Sequence, residues 1–219
     1  MKIHRDHSYL NAFTGVMAAL LISSILGSSA AHSGENKPET EEGWVSLFNG
    51  KDLTGWEIAE NGPWKVEDGK IVVTGKRSHL FTKDEFKNFE FKADVMTTPG
   101  SNSGIFFHTK FQEEGWPKQG YESQVNVTHK DPVKTGSIYN RVKLFKTPAK
   151  DNEWWTQHII VKGRHVVVKI NGETVVDYTE PEGATGYPSL GEKGKFALQA
   201  HDPKSVVYYK NIRVKPLAD

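Results

Sequence analysis

From residue 43 onward the chain reads as short runs of alternating apolar and polar residues, broken by turn signals. The clearest run is residues 88–96. There Phe89, Phe91, Ala93 and Val95 alternate with Glu90, Lys92 and Asp94, the pattern of a strand with one face in a core and one in water. Val166, Val168 and Ile170 share a face in the same way. Asp68-Gly69 separates two strand-like runs, and Asn171-Gly172 separates two more. Both dipeptides favour tight hairpins, because each central residue must adopt positive φ. Further strands are expected at 44–48, 55–58, 78–82, 103–110, 120–127, 154–162, 194–201 and 206–214, while 136–144 is either a strand or irregular. No stretch carries a long helical period, and residues 84–86 make one turn at most. Many short strands without helices predict an all-β chain, a sandwich of two antiparallel sheets. Neither an internal repeat nor a second domain is visible, so residues 43–219 form a single domain.

The first 42 residues follow a different logic. Lys2, His4 and Arg5 precede an apolar run from Ala12 to Leu26, which ends in small residues through Ala31. This order is that of a signal peptide over residues 1–31, with cleavage after Ala30 or Ala31. The competing reading is an uncleaved anchor, but the run falls short of the ~20 apolar residues of a membrane span. Residues 32–42 are polar and charged, the composition of a disordered linker. The expected location is periplasmic or secreted, with no stable membrane span after cleavage.

Composition narrows the chemistry. The 219 residues carry a formal net charge of +1, which offers no footprint for nucleic acid. Cysteine is absent, so disulfides, thiolate metal sites and cysteine nucleophiles are excluded. There is no GxSxG elbow, phosphate loop, dinucleotide fingerprint or HExxH motif.

Two strands carry the candidate site. In residues 120–127, Glu122, Gln124 and Asn126 share one face, and Tyr121, Ser123, Val125 and Val127 the other. A row of a carboxylate and two amides suits a wet surface that grips hydroxyl groups better than a dry core. In residues 194–201, Gln199 and His201 repeat the pattern opposite Phe196, Leu198 and Ala200. A glutamate and a histidine converging from one sheet would make an acid–base pair. His108 shares a face with Gly104 and Phe106, and Gly104 could admit a ligand close to the backbone. Of the adjacent Trp154 and Trp155, one ring is expected in the core and one on the surface as a sugar platform, with Trp155 taken into the binding set. Trp116 is open to the same two readings. A retaining glycosidase needs two carboxylates about 5–5.5 Å apart. Glu122 is followed on its face by Gln124 and Asn126, so this strand cannot supply such a pair. No cofactor is required; a divalent metal could be held if Asp94, Glu122, Asp131 and His201 met in space.

The motifs, taken together, resemble the 3-keto-disaccharide hydrolase family. The opening residues 44–56 (WVSLFNGKDLTGW), the NSGIFF of 102–107, the GYESQV of 120–125, the TGSIY of 135–139 and the ALQAH of 197–201 with YKNIRV of 209–214 carry the resemblance. It spans essentially all of 44–217. Two departures stand out: Asn126 where members often have an acid, and Asp202-Pro203 where a glycine turn usually follows. The resemblance implies a concanavalin A-like jelly-roll sandwich and cleavage of 3-keto glycosides outside the cytoplasm. Glu122 and His201 would then do the acid–base work, in an order left open. Gln124, Asn126, Gln199, His108, Tyr139 and Trp155 would bind a small carbohydrate. The alternatives are a non-catalytic carbohydrate-binding, laminin-G-like module, a conventional glycoside hydrolase, and a structural surface protein.

Overall fold

The computed structural model describes residues 42–219; the expected signal peptide and nearly all of the expected linker lie outside the described residues. Two antiparallel sheets pack face to face as a jelly-roll sandwich, with no helix among the described residues. No helix there is long and apolar enough to cross a membrane.

The larger sheet has the order β11-β10-β9-β6-β13-β4-β3, and β1 (Val45–Ser46) also pairs with β13. Its strands are β3 (Trp64–Glu67), β4 (Lys70–Thr74), β6 (Phe89–Thr97), β9 (Trp155–Lys162), β10 (His165–Ile170), β11 (Glu173–Thr179) and β13 (Val206–Pro216). The smaller sheet runs β2-β5-β12-β7-β8. It is built from β2 (Trp56–Ile58), β5 (Ser78–Thr82), β7 (Asn102–Thr109), β8 (Tyr121–Asn126) and β12 (Lys195–Ala200). The two expected hairpins form as type I′ turns, with positive φ at Asp68 and Gly69 and at Asn171 and Gly172. The expected strand over 44–48 shrinks to two residues, and 136–144 is irregular.

The alternation read from the sequence sets the layers. Phe89, Phe91, Ala93 and Val95 of β6 and Val166, Val168 and Ile170 of β10 face inward. They meet Ile105 and Phe107 of β7, Tyr121 and Val125 of β8, and Phe196 and Leu198 of β12. Burying a side chain of this size contributes about 1.5–3 kcal/mol. With its apolar set turned inward, the smaller sheet presents the alternate residues of β7, β8 and β12 on its outer face.

Unlike β6, the strands β7 and β8 are buried on both faces. Loops cover the outer one. The free edge of β8 is closed by the 135–142 segment, in which Tyr139 N–H donates to Glu122 O at 2.9 Å and Gly136 N–H to Gln124 O at 3.0 Å. The 180–193 loop is tied down by Glu180, whose carboxylate accepts from the Tyr121 hydroxyl and from Leu190 N–H, both at 2.7 Å. These two segments wall the outer face of the smaller sheet, and Arg141 joins them through Pro188 O.

Candidate functional site

A cavity of about 350 Å³ opens on that outer face, near the lower end of the range for small-molecule sites. Its floor is Phe106 with Glu122, Gln124 and Gln199, and its walls include Trp116, Tyr139, Tyr187, Asp131 and His201.

Register explains the floor. Phe106 pairs with Glu122 and Gly104 with Gln124, while Ala197 pairs with Phe106 and Leu198 with Ile105. Gln199 therefore falls beside Gly104. The Glu122 carboxyl leans across that glycine and accepts a hydrogen bond from Gln199 Nε2 at 3.0 Å. A Cβ at position 104 would sit 2.1 Å from Glu122 Oε1. The glycine thus admits the site's own glutamate, not the ligand expected from the sequence. Gly104→Ala should displace the carboxyl and cut activity about a hundredfold, the usual cost of ~1 Å misplacement. Turnover and the melting temperature check this together: near-wild-type turnover would show that Glu122's place over Gly104 is immaterial.

Glu122 is only 6% exposed. Burial pushes its carboxyl up to about 8, against the Gln199 hydrogen bond and with the help of Asp131's negative charge. It is therefore a protonated acid at neutral pH. Asp131 was expected only as a metal candidate; here it is a second carboxyl lining the cavity.

His201 follows the last residue of β12 and is oriented by its neighbour. Its Nδ1 lies 2.9 Å from Asp202 Oδ2, which also accepts from Ser205 Oγ at 2.7 Å. Partial burial works against the Asp202 charge, but hydrogen bonds from Ser205, His201 and Lys204 N–H hold it down at about 2. Nδ1–H therefore points at a carboxylate, and Nε2 keeps its lone pair in the neutral ring. The Asp202-Pro203 departure noted in the sequence thus supplies the group that sets this tautomer.

Gln124 donates to Asn102 Oδ1 at 2.7 Å, which turns the Asn102 amide NH₂ toward His129 Nδ1 at 3.3 Å. That nitrogen also accepts from Asp131 N–H at 3.2 Å. The His129 ring proton is therefore on Nε2, 3.9 Å from Asp202 Oδ2.

Three of the eight expected site residues stand elsewhere. Asn126 is buried outside the cavity. Its amide donates to Asp131 O and Val133 O, and its oxygen accepts from His129 N–H. It shapes the loop that carries Asp131 and His129, and an ionised acid could not make the two donor bonds. His108 is also buried, with its ring nitrogens 2.9 Å from Gly191 O and 2.7 Å from Lys87 O. It clips two loops together and does not reach the cavity. Trp155 lies in the core with Nε1 donating to Gln157, while Trp154 stacks under Lys210. Because β9 belongs to the larger sheet, neither tryptophan can serve as a platform in this cavity. Glu122, Gln124, Tyr139, Gln199 and His201 do line it. Trp116, for which core packing and a sugar platform are both open from the sequence, also lines it, as do Asp131, expected only as a metal candidate, and Tyr187, for which the sequence offers no expectation. Tyr187 sits in an aperiodic Pro/Gly-rich loop with no signal of its own.

The expected metal set does not assemble, since Asp94 lies on the larger sheet, bonded to Thr156 and Asn211. Among the described residues a different trio, His129, His201 and Asp202, brings one donor atom each within 4.8 Å of one another. A divalent cation there would have to replace the His129 Nε2 proton.

Fold and site together define a class: a two-sheet jelly-roll domain with a walled, polar cavity on the outer face of its smaller sheet. Residues 43–215 match the 3-keto-alpha-glucoside-1,2-lyase-like domain, and the chain belongs to that family. A 3-keto-disaccharide hydrolase of Bacteroides thetaiotaomicron is 24% identical over 234 residues, covering 82% of this chain and 80% of the relative. A crystal structure from Parabacteroides distasonis, provisionally assigned as a glycosyl hydrolase, aligns with a TM-score of 0.69 at 29% identity, over 81% of this chain and 95% of that one. The carbohydrate-binding module CBM66 of Bacillus subtilis aligns at 0.55 with 16% identity, over 74% of this chain and 95% of that one, a likeness of fold alone.

Proposed function

We propose that the protein cleaves 3-keto glycosides by elimination and hydration, with His201 as the base and Glu122 as the acid. The observation that carries this is the pairing, on one cavity, of a buried protonated carboxyl with an aspartate-oriented imidazole. A ketone at C3 acidifies the hydrogen on C2. His201 Nε2 takes that proton, the electron pair forms the C1–C2 double bond, and the C1–O bond breaks. The leaving oxygen takes the proton of Glu122. Water then adds at C1 while the Glu122 carboxylate accepts its proton, and His201 returns the first proton to C2. The balance is hydrolysis, with both groups restored. Neither step needs a close carboxylate pair. The phenol of Tyr139, pushed up by burial, keeps its proton and can donate to the enolate oxygen or a hydroxyl.

This route requires no cofactor. The His129–His201–Asp202 trio offers ligands for a divalent cation, which would act as electrophile, but a His201 that ligates it could not also be the base. Export to the periplasm or medium remains part of the proposal, and the N-terminal sequence of the mature protein would test it. The central experiment is incubation with a 3-keto disaccharide, with and without chelator, followed by product analysis. Release of the free sugar and the 3-keto sugar is expected in both arms. Absence of cleavage in both would overturn the reading. One feature favours a second reading: Asp131 provides the cavity with another carboxyl, as ordinary glycoside hydrolysis demands. Cleavage of the unoxidised disaccharide would select it.

A further inference from the structure

His79 is not used by the reaction above, yet it is the most anomalous polar group near the cavity. It is 1% exposed, on the outer face of β5, and neither ring nitrogen has a hydrogen-bond partner. It pairs across the strands with Gln199, whose Oε1 is likewise buried and without a partner. Buried polar atoms in native proteins are nearly always satisfied, so three orphan atoms on two register-paired residues call for a shared partner. The cover over His79 is Trp116, which lines the cavity together with Gln199. Its ring lies 5.7 Å from that of His79 and 5.5 Å from that of His201, and it is 42% exposed. Phe106, on the cavity floor, meets His79 edge-on at 5.4 Å.

We infer that His79 and Gln199 form a hydroxyl-binding subsite beneath Trp116, taking one hydroxyl of a pyranose ring that lies against that tryptophan. The subsite rests on the carbohydrate part of the proposed function, not on its acid–base assignment. A neutral imidazole offers one N–H donor and one bare nitrogen. A sugar hydroxyl can accept from the His79 N–H and donate to Gln199 Oε1. Burial pushes the His79 ring down to about 4, which keeps it in that neutral form at working pH. An anionic ligand has no counter-charge here, because Arg77, the nearby cation, is committed to Glu60 at 2.7 Å while its guanidinium stacks on Trp116. Glu60 also holds Gly115 N–H at 3.1 Å, which anchors the turn carrying Trp116. Occupancy has a consequence for the acid. A hydroxyl on Gln199 Oε1 fixes the amide so that Nε2 points at Glu122, coupling ligand seating to the place of the acidic proton.

The test uses the whole protein labelled with ¹⁵N-histidine, titrated with methyl α-D-glucoside and with its 3-keto form. The His79 ring resonances are assigned by their loss in His79→Phe. They should shift on saccharide binding, and His79→Phe should weaken binding about tenfold, the worth of one neutral hydrogen bond. Circular dichroism confirms that the variant folds, and Gln199→Leu should weaken binding similarly. Saccharide binding with unmoved His79 resonances and unchanged affinity in both variants overturns the subsite and leaves the acid–base reading standing. Binding that depends on His79 without cleavage of the 3-keto sugar keeps the subsite and overturns that reading. Failure of the wild type to bind either sugar overturns both.

Discussion

Glu122→Gln should lower turnover of a 3-keto disaccharide by roughly 10²–10⁴-fold, the contribution of a positioned proton donor. The substitution keeps shape and the oxygen that accepts from Gln199, so the fold should persist. Two further readouts separate this from a structural effect. First, the acid form is lost above a pKa of about 8, so wild-type kcat/KM should fall on the alkaline side of that value. Second, stability should change with a definite sign. The native carboxyl is pushed up to about 8 from the 4.5 it has in the unfolded chain. Between those pH values the native state holds a proton that the unfolded chain has released. Stability from this group is therefore fully present below the unfolded value and is lost as pH rises through the native one. At 1.36 kcal/mol per unit the loss amounts to about 5 kcal/mol. Glu122→Gln cannot lose that proton, so it should melt above the wild type at pH 9 and level with it at pH 4. Equal melting at both would place Glu122 in a wetter, ordinary environment.

His201→Ala should cost a similar 10²–10⁴-fold, and Asp202→Asn roughly 10³-fold. The asparagine amide would donate toward Nδ1 and force the proton to Nε2, leaving the cavity no base. The two machinery residues can be told apart by chemistry. With an aryl leaving group the departing oxygen needs no proton, so the Glu122→Gln defect should shrink while the His201→Ala defect persists. In heavy water Glu122→Gln should still exchange the C2 hydrogen of the 3-keto sugar, and His201→Ala should not. The reverse pattern would exchange the roles assigned to them.

Much of this was legible in the sequence because strand alternation is a local property. The period of two over 88–96 put Phe89, Phe91, Ala93 and Val95 in the core, and the same period put Glu122 and Gln124 on the face opposite Tyr121 and Val125. It placed Gln199 opposite Leu198 with equal success. The two positive-φ dipeptides located their hairpins for the same reason: the constraint lies within the residues themselves. The family, too, was legible, since its motifs are short runs along the chain.

The period could not say what covers a face. Asn126 shares the polar side with Glu122, yet a loop folds over it and uses its amide as a hook. His108 shares a side with Phe106, but carbonyls from two of the chain's own loops flank its two ring nitrogens and shut the ring away from the cavity. Trp155 shows a different failure, because alternation cannot tell which sheet a strand will join. The cavity joins residues as distant in sequence as Trp116, Asp131, Tyr187 and His201, three of them on aperiodic loops and His201 at a strand end. The sequence by itself determined the strands, their turns and which side chains share a face, since those follow from backbone geometry over a few residues. Only the tertiary structure decided which of those faces stays open, that Gly104 makes room for the Glu122 carboxyl, and that Asp202 holds the His201 ring. Each of these depends on register between strands and on loops whose paths are set by distant hydrogen bonds.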